Sequence, residues 1–70
     1  MELQYKLKRD DYIELTKLLK ITNVCGSGGE AKHVIDQGVV RRNGEIEMRK
    51  RCKLVKGDII EFLNNKIAIQ

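Results

Sequence analysis

The spacing of apolar residues changes twice along this chain. In "ELQYKL", Leu3, Tyr5 and Leu7 alternate with polar residues, the two-residue period of a half-buried strand. From "RDDYIELTKLLK" the spacing becomes helical, with Tyr12, Leu15, Leu18 and Leu19 on one face. Asp11 and Glu14 have the spacing of a capping box with an aspartate as the cap, and the helix fades through "ITNVCG". A second helix is predicted within "GSGGEAKHVIDQG". There Ala31, Val34, Ile35 and Gly38 fall at i, i+3, i+4 and i+7 and share an inward face. Gly38 is placed to stop this helix in the left-handed conformation.

The period then returns to that of strands. "VVRRNGEIEM" contains Asn43-Gly44, the strongest short hairpin signal, because a type I′ turn needs positive φ at both central positions. A two-residue loop there pairs Arg42 with Glu45 and Arg41 with Ile46, although the alternation around it is irregular. "KGD" marks a turn, "IIEFL" a buried strand, "NN" a turn and "KIAIQ" a closing strand. Together these predict an α+β fold: a small, mainly antiparallel sheet of about five short strands with two helices packed on it. With no proline, low-complexity tract or repeat, residues 1–70 read as one domain.

Composition sharpens this picture by exclusion. A chain of 70 residues buries only about 60% of its unfolded surface, which leaves little room for a substrate cleft backed by a second layer. No enzymatic activity is expected: no His/Cys or Ser/His pairing stands out, and the carboxylates read mostly as caps or surface charges. Apolar runs reach four residues at most, so no membrane span is expected, and "MELQYKLKRDD" lacks the apolar core of a signal peptide, which points to the cytoplasm. Cys25, Cys52 and His33 do not have metal-ligand spacing. Two free, structural thiols are expected, with no metal and no cofactor.

The net charge of +4 is unevenly spread. Residues 1–38 balance to zero and residues 57–70 carry −1, so the excess lies in residues 39–56, at +5. Arg41, Arg42, Arg49, Lys50, Arg51, Lys53 and Lys56 face only Glu45 and Glu47 there. Such a dense, one-signed segment is either a solvated surface or the electrostatic footprint of a polyanion; its density favours the second.

The glycines of "GSGGEAK" admit three readings. A Walker A loop fails, because counting from Gly26 the second glycine is Ala31, and His33 stands where the Mg²⁺-binding hydroxyl belongs. The dinucleotide fingerprint matches literally at Gly26, Gly28 and Ala31, but here a helix leads in and a hairpin leads out instead of a parallel βαβ unit. Helix initiation explains more. Ser27 and Glu30 form an S-x-x-E box, the serine oxygen accepting from the amide of residue 30 and the carboxylate from the amide of residue 27. On the outward face, Gly29, Lys32, His33 and Asp36 fall together, and a glycine there lets another molecule approach the backbone closely.

With these motifs in order, "SGGEAKHVIDQGVVRRNGEIEMRKRCKLVKGDIIEF" resembles the alpha-L RNA-binding domain first defined in small-subunit ribosomal protein S-four. Ser27, Ala31, Lys32, Ile35, Gly38, Val40, Asn43, Gly44, Gly57 and Asp58 occupy the family's positions, over about residues 12 to 63. "SGGEAK" and "RKRCKL" look most like the small stand-alone bacterial members. One departure stands out. Arg42 replaces the valine usual before Asn-Gly, so either it turns outward into the basic patch or the strand register differs.

The resemblance implies a monomeric, non-catalytic protein that binds structured RNA, with ribosomal RNA and the ribosome as expected targets. The expected contact residues are Gly29, Lys32, His33, Arg41, Arg42, Asn43, Arg49, Lys50, Arg51 and Lys53. Lysine and arginine provide the phosphate contacts that dominate nucleic-acid affinity. The basic segment contains no aromatic residue, so stacking on unpaired bases is poorly supported and reading of shape and backbone fits better. Two other readings use the same patch: an accessory protein binding duplex DNA, and an interaction module for an acidic protein.

Overall fold

A computed structural model describes residues 1–8 and 11–70. The elements run β1 (Glu2–Tyr5), β2 (Ile13–Glu14), α1 (Leu15–Ile21), α2 (Gly28–Asp36), β3 (Val40–Arg42), β4 (Glu45–Ile46), β5 (Lys53–Leu54), β6 (Ile59–Phe62) and β7 (Asn65–Ile69). Five strands form one sheet in the order β1-β7-β6-β3-β4, antiparallel except for the parallel β1–β7 pair. β2 and β5 form a separate antiparallel pair. The main sheet thus contains the five strands that the sequence predicts.

Alternation along β6 and β7 turns Ile60, Phe62, Ile67 and Ile69 inward, where they join Val40 of β3. The helices complete this core with Leu15, Leu18 and Leu19 from α1 and Ala31, Val34 and Ile35 from α2. Leu3, Tyr5 and Leu7 are partly buried against it, as the half-buried strand predicts. Cys25 and Cys52 are buried and free. Among the described residues, no helix is long and apolar enough to cross a membrane.

The first helix departs from its prediction. The first two residues of "RDDYIELTKLLK" lie outside the described residues. Ile13 and Glu14 are a strand paired with Leu54 and Lys53, and α1 begins only at Leu15. The Asp11–Glu14 capping box does not form: Glu14 is the N-cap and makes no side-chain cap bond. Backbone carbonyls replace it, since the Leu15 amide donates to Cys52 O and the Thr16 amide and Oγ1 to Lys50 O. Tyr12, expected on the inward face, is exposed.

The second helix and the hairpin agree closely with the sequence. Ser27 caps α2, accepting the Glu30 amide at 3.1 Å. The Glu30 carboxylate reaches one residue further back than a standard capping box, accepting from the Gly26 amide at 3.1 Å. Gly38 follows α2 at φ +72°. Asn43 (φ 52°) and Gly44 (φ 88°) form the two-residue loop, with Arg42 opposite Glu45 and Arg41 opposite Ile46. The last loop shifts by one residue: it is Leu63-Asn64, because Asn65 already pairs with Phe62.

Candidate nucleic-acid interface

The interface builds on a consequence of hairpin register. Residues directly opposite in an antiparallel pair point to the same face. Val40 is inward, and the Glu47 amide donates to Val40 O at 2.9 Å, so the ladder runs on past β4 and Glu47 also turns in. Arg42, two residues from Val40, shares that face opposite Ile60 of β6. Arg41 and Ile46 take the other face and are exposed.

Arg42 therefore meets neither expectation for it. The register is the predicted one, yet the side chain turns inward and is only 24% exposed. Its Nη2 donates to Asp58 Oδ2 at 2.8 Å and lies 3.4 Å from Lys53 O. Its Nη1 lies 3.1 Å from Cys52 Sγ and 3.9 Å from Glu47 Oε1. Its Nε is buried without a partner among the described residues.

Two buried carboxylates, Glu47 and Asp58, anchor this network and depart from the general reading of the carboxylates as mostly caps or surface charges. Asp58 accepts from the Val55 amide at 2.8 Å, from Asn43 Nδ2 at 3.0 Å and from Arg42. Burial alone would raise its pKa; those donors outweigh it and hold the carboxyl below its ordinary value. Glu47 accepts two parallel bonds, from Arg49 Nε and Nη2, each at 3.0 Å, and a third from the Arg49 amide at 3.1 Å. The Arg49 side chain is the main cause that holds Glu47 down at about 2, against the upward push of burial. The Cys52 thiol donates to Glu47 at 3.4 Å, and burial, then that bond, raise its pKa, so the neutral thiol is favoured.

Around this anchor the cations fan outward. Arg49 (71% exposed) and Arg51 (83% exposed) stand on the loop whose carbonyls cap α1. Arg51 Nε donates to Glu14 at 2.8 Å, and Lys53 Nζ sits 4.9 Å from the centre of the Tyr12 ring. Arg42, Arg49, Arg51, Cys52 and Lys53 line one open depression. Lys50 Nζ lies 3.0 Å from Asp36 on the outward face of α2, which ties the basic loop to that helix. Gly29, Lys32 and His33 are exposed on α2, as the helical spacing predicts. Arg41 does not line the depression, and its Nη1 donates to Gly44 O at 3.4 Å. Asn43 uses its amide within the fold, donating to Asp58 and accepting from the Ile59 amide at 2.9 Å.

Sequence reasoning missed three features of this surface. The burial of Glu47 was recoverable, because Val40 inward and the Asn-Gly register together place it. The Asp58 cluster carries no such local signal, since its side-chain partners are 15 and 16 residues away. Exposed Val39, Ile46 and Met48 add an apolar element, with Met48 Sδ 3.6 Å and an Ile46 methyl 3.8 Å from the position of a Cβ built on Gly38.

Comparison with known proteins identifies the family of the fold. The S4 domain family model matches residues 5–70. YbcJ of Escherichia coli (strain K12) and YbcJ of Shigella flexneri are each 35% identical over 65 residues, covering 93% of this chain and 93% of the relative. The solution structure of Escherichia coli YbcJ, described as revealing an alpha-L motif involved in RNA binding, has a TM-score of 0.73. That match, at 35% identity, covers 94% of this chain and 84% of that one. The chain belongs to the S4 domain family, the family of the alpha-L RNA-binding motif.

Proposed function

We propose that this protein is a non-catalytic RNA-binding protein of the cytoplasm, a single domain that acts as a monomer and docks on structured RNA, ribosomal RNA foremost. The observation that carries the reading is the Lys50–Asp36 contact, which brings the arginine-rich loop against the outward face of α2. Two separate sequence signals, a one-signed basic segment and a glycine-opened helix face, thereby become neighbours. The family and the description of the solved relative support RNA as the partner.

Lys32, Arg41, Arg49, Lys50, Arg51 and Lys53 are the phosphate contacts in this reading, with Gly29 and His33 at the edge. Arg42 and Asn43 support them from within the fold. Tyr12 carries Lys53 on its ring, and no other aromatic residue lies on this surface, which favours reading of shape and backbone over stacking on bases. Crosslinking in cells followed by sequencing of bound nucleic acid tests the assignment directly. Ribosomal RNA should dominate the recovered fragments; recovery of messenger RNA or genomic DNA instead would contradict it. The same phosphate chemistry would serve duplex DNA, so competition between a structured RNA and duplex DNA of equal length, at one salt concentration, separates the two.

A further inference from the structure

We propose that the depression lined by Arg42, Arg49, Arg51, Cys52 and Lys53 is a preformed seat for one RNA phosphodiester group, with Glu47 and Asp58 as positioning residues that hold its arginines. The proposal rests on the RNA-binding reading above and assigns a definite place and mechanism to part of it. Its starting point is an oddity of charge: a surface read as a polyanion site has two carboxylates buried directly behind it.

The donor geometry accounts for them. A guanidinium has five N–H donors in a fixed plane. Glu47 engages Arg49 side-on through Nε and Nη2, and Cys52 Sγ lies 3.6 Å from the same Nη2. Among the described residues neither Nη1 hydrogen of Arg49 has a partner, on a side chain that is 71% exposed. Glu14 engages Arg51 through Nε, and among the described residues both of its Nη groups are left for a two-pronged bond to phosphate oxygens. Arg42 forms the fixed floor, its Nη groups committed to Asp58, Cys52 and the Lys53 carbonyl. Lys53, held over Tyr12, completes the cationic lining. The acids thus fix the plane and direction of the exposed forks before RNA arrives, which lessens the ordering cost of binding.

Orientation and simple charge make opposite predictions for Glu47→Gln. That substitution raises the net charge by one, so a purely Coulombic surface would bind RNA more tightly. If Glu47 positions Arg49, affinity falls instead. The test is fluorescence anisotropy with a short labelled stem-loop RNA, over a range of salt, on the full chain and on variants checked for folding by thermal melting. Glu47→Gln should weaken binding on the order of fivefold. Arg49→Lys and Arg51→Lys keep the charge and lose the planar fork, and each should weaken binding several-fold with little change in salt slope. Lys32→Ala, outside the depression, should lower the slope by about one and leave the effect of Glu47→Gln unchanged.

A folded Glu47→Gln variant that binds as tightly as the parent, or more tightly, overturns the seat. If Glu47→Gln does not fold, Arg49→Lys decides: parental affinity overturns the proposal, and a several-fold loss upholds it. Failure here is separable from failure of the functional reading. If the parent binds the stem-loop and Lys32→Ala weakens it while the depression variants do not, only the seat falls. If the parent does not bind the stem-loop at any salt, the RNA-binding reading falls and takes the seat with it.

Discussion

Arg42 occupies a strand position whose neighbours on the same face, Val40, Ile60 and Phe62, are buried and apolar. A cation is tolerated there because two carboxylates reach it from different segments, Asp58 at 2.8 Å and Glu47 at 3.9 Å. Removing one member of such a group costs more than the bond itself, because it leaves partners charged and largely out of water. Arg42→Ala should therefore destabilise the protein by about 2–4 kcal/mol, measured by urea unfolding. A loss within experimental error would mean that water substitutes freely for the guanidinium. Acid should act on the same group from the other side. Glu47 titrates at about 2 in the folded protein and Asp58 is also held low, whereas unfolded carboxyls titrate near about 4. Their ionised forms thus favour the fold at neutral pH, and that contribution is lost as pH falls from about 5 toward about 2. The thermal midpoint should drop over this window, and less steeply in Glu47→Gln; a flat midpoint down to about pH 3 would contradict the pairing.

Helix α2 combines capping with an unusual opening. Gly28 and Gly29 stand in its first turn without positive φ. A Cβ on Gly28 would meet nothing within 4 Å, and one on Gly29 only Ser27 Oγ at 3.9 Å. The fold itself does not require either glycine. Gly29→Ala should therefore raise stability by about 0.5–1 kcal/mol, since glycine is a poor helix former. The same change should weaken RNA binding if the bare backbone is where RNA approaches. Gains in both stability and affinity would remove Gly29 from the interface. Gly38 is the contrast, because φ +72° is strained for any residue with a side chain and Gly38→Ala should destabilise by about 1–2 kcal/mol. Elements of this kind were legible because their signals are local: Ser27 and Glu30 lie within one turn, and Asn43-Gly44 fixes its own hairpin register. The start of α1 was not legible. Its first amides bond to Lys50 and Cys52, more than thirty residues away, and Glu14 faces Lys53 across a ladder that no local pattern announces. Helical spacing at Tyr12 therefore predicts the start of α1 one turn too early.

For the whole molecule, what matters is how many charges remain available to a polyanion. The sequence places +5 in residues 39–56 but does not show which charges are already matched. In the folded chain Arg42 is committed to the interior, while Arg49, Lys50 and Arg51 are paired with Glu47, Asp36 and Glu14 at the surface. The Lys50 and Arg51 pairs are individually weak and screened by salt, so phosphate can compete for those cations, whereas it shares Arg49 with Glu47, which keeps its two bonds to Nε and Nη2. Six phosphate contacts from fully available side chains would give a log–log salt slope of about −5 on a duplex RNA. Because three of the six begin in ion pairs, each offers less net charge, and a slope of about −3 to −4 is expected. Titration of one stem-loop over a fourfold range of salt, roughly 50 to 200 mM, measures it. A slope near −1 would leave most of the basic segment outside the contact surface. Duplex DNA of equal length should show a similar slope, because counterion release responds to phosphate charge, but weaker binding at every salt concentration. The reason is geometric: in the proposed reading, fixed guanidinium forks and a helix face opened by Gly29 would sample the spacing and groove shape that distinguish A-form RNA from B-form DNA. Equal affinity for both duplexes, at equal slope, would show that the surface reads charge alone.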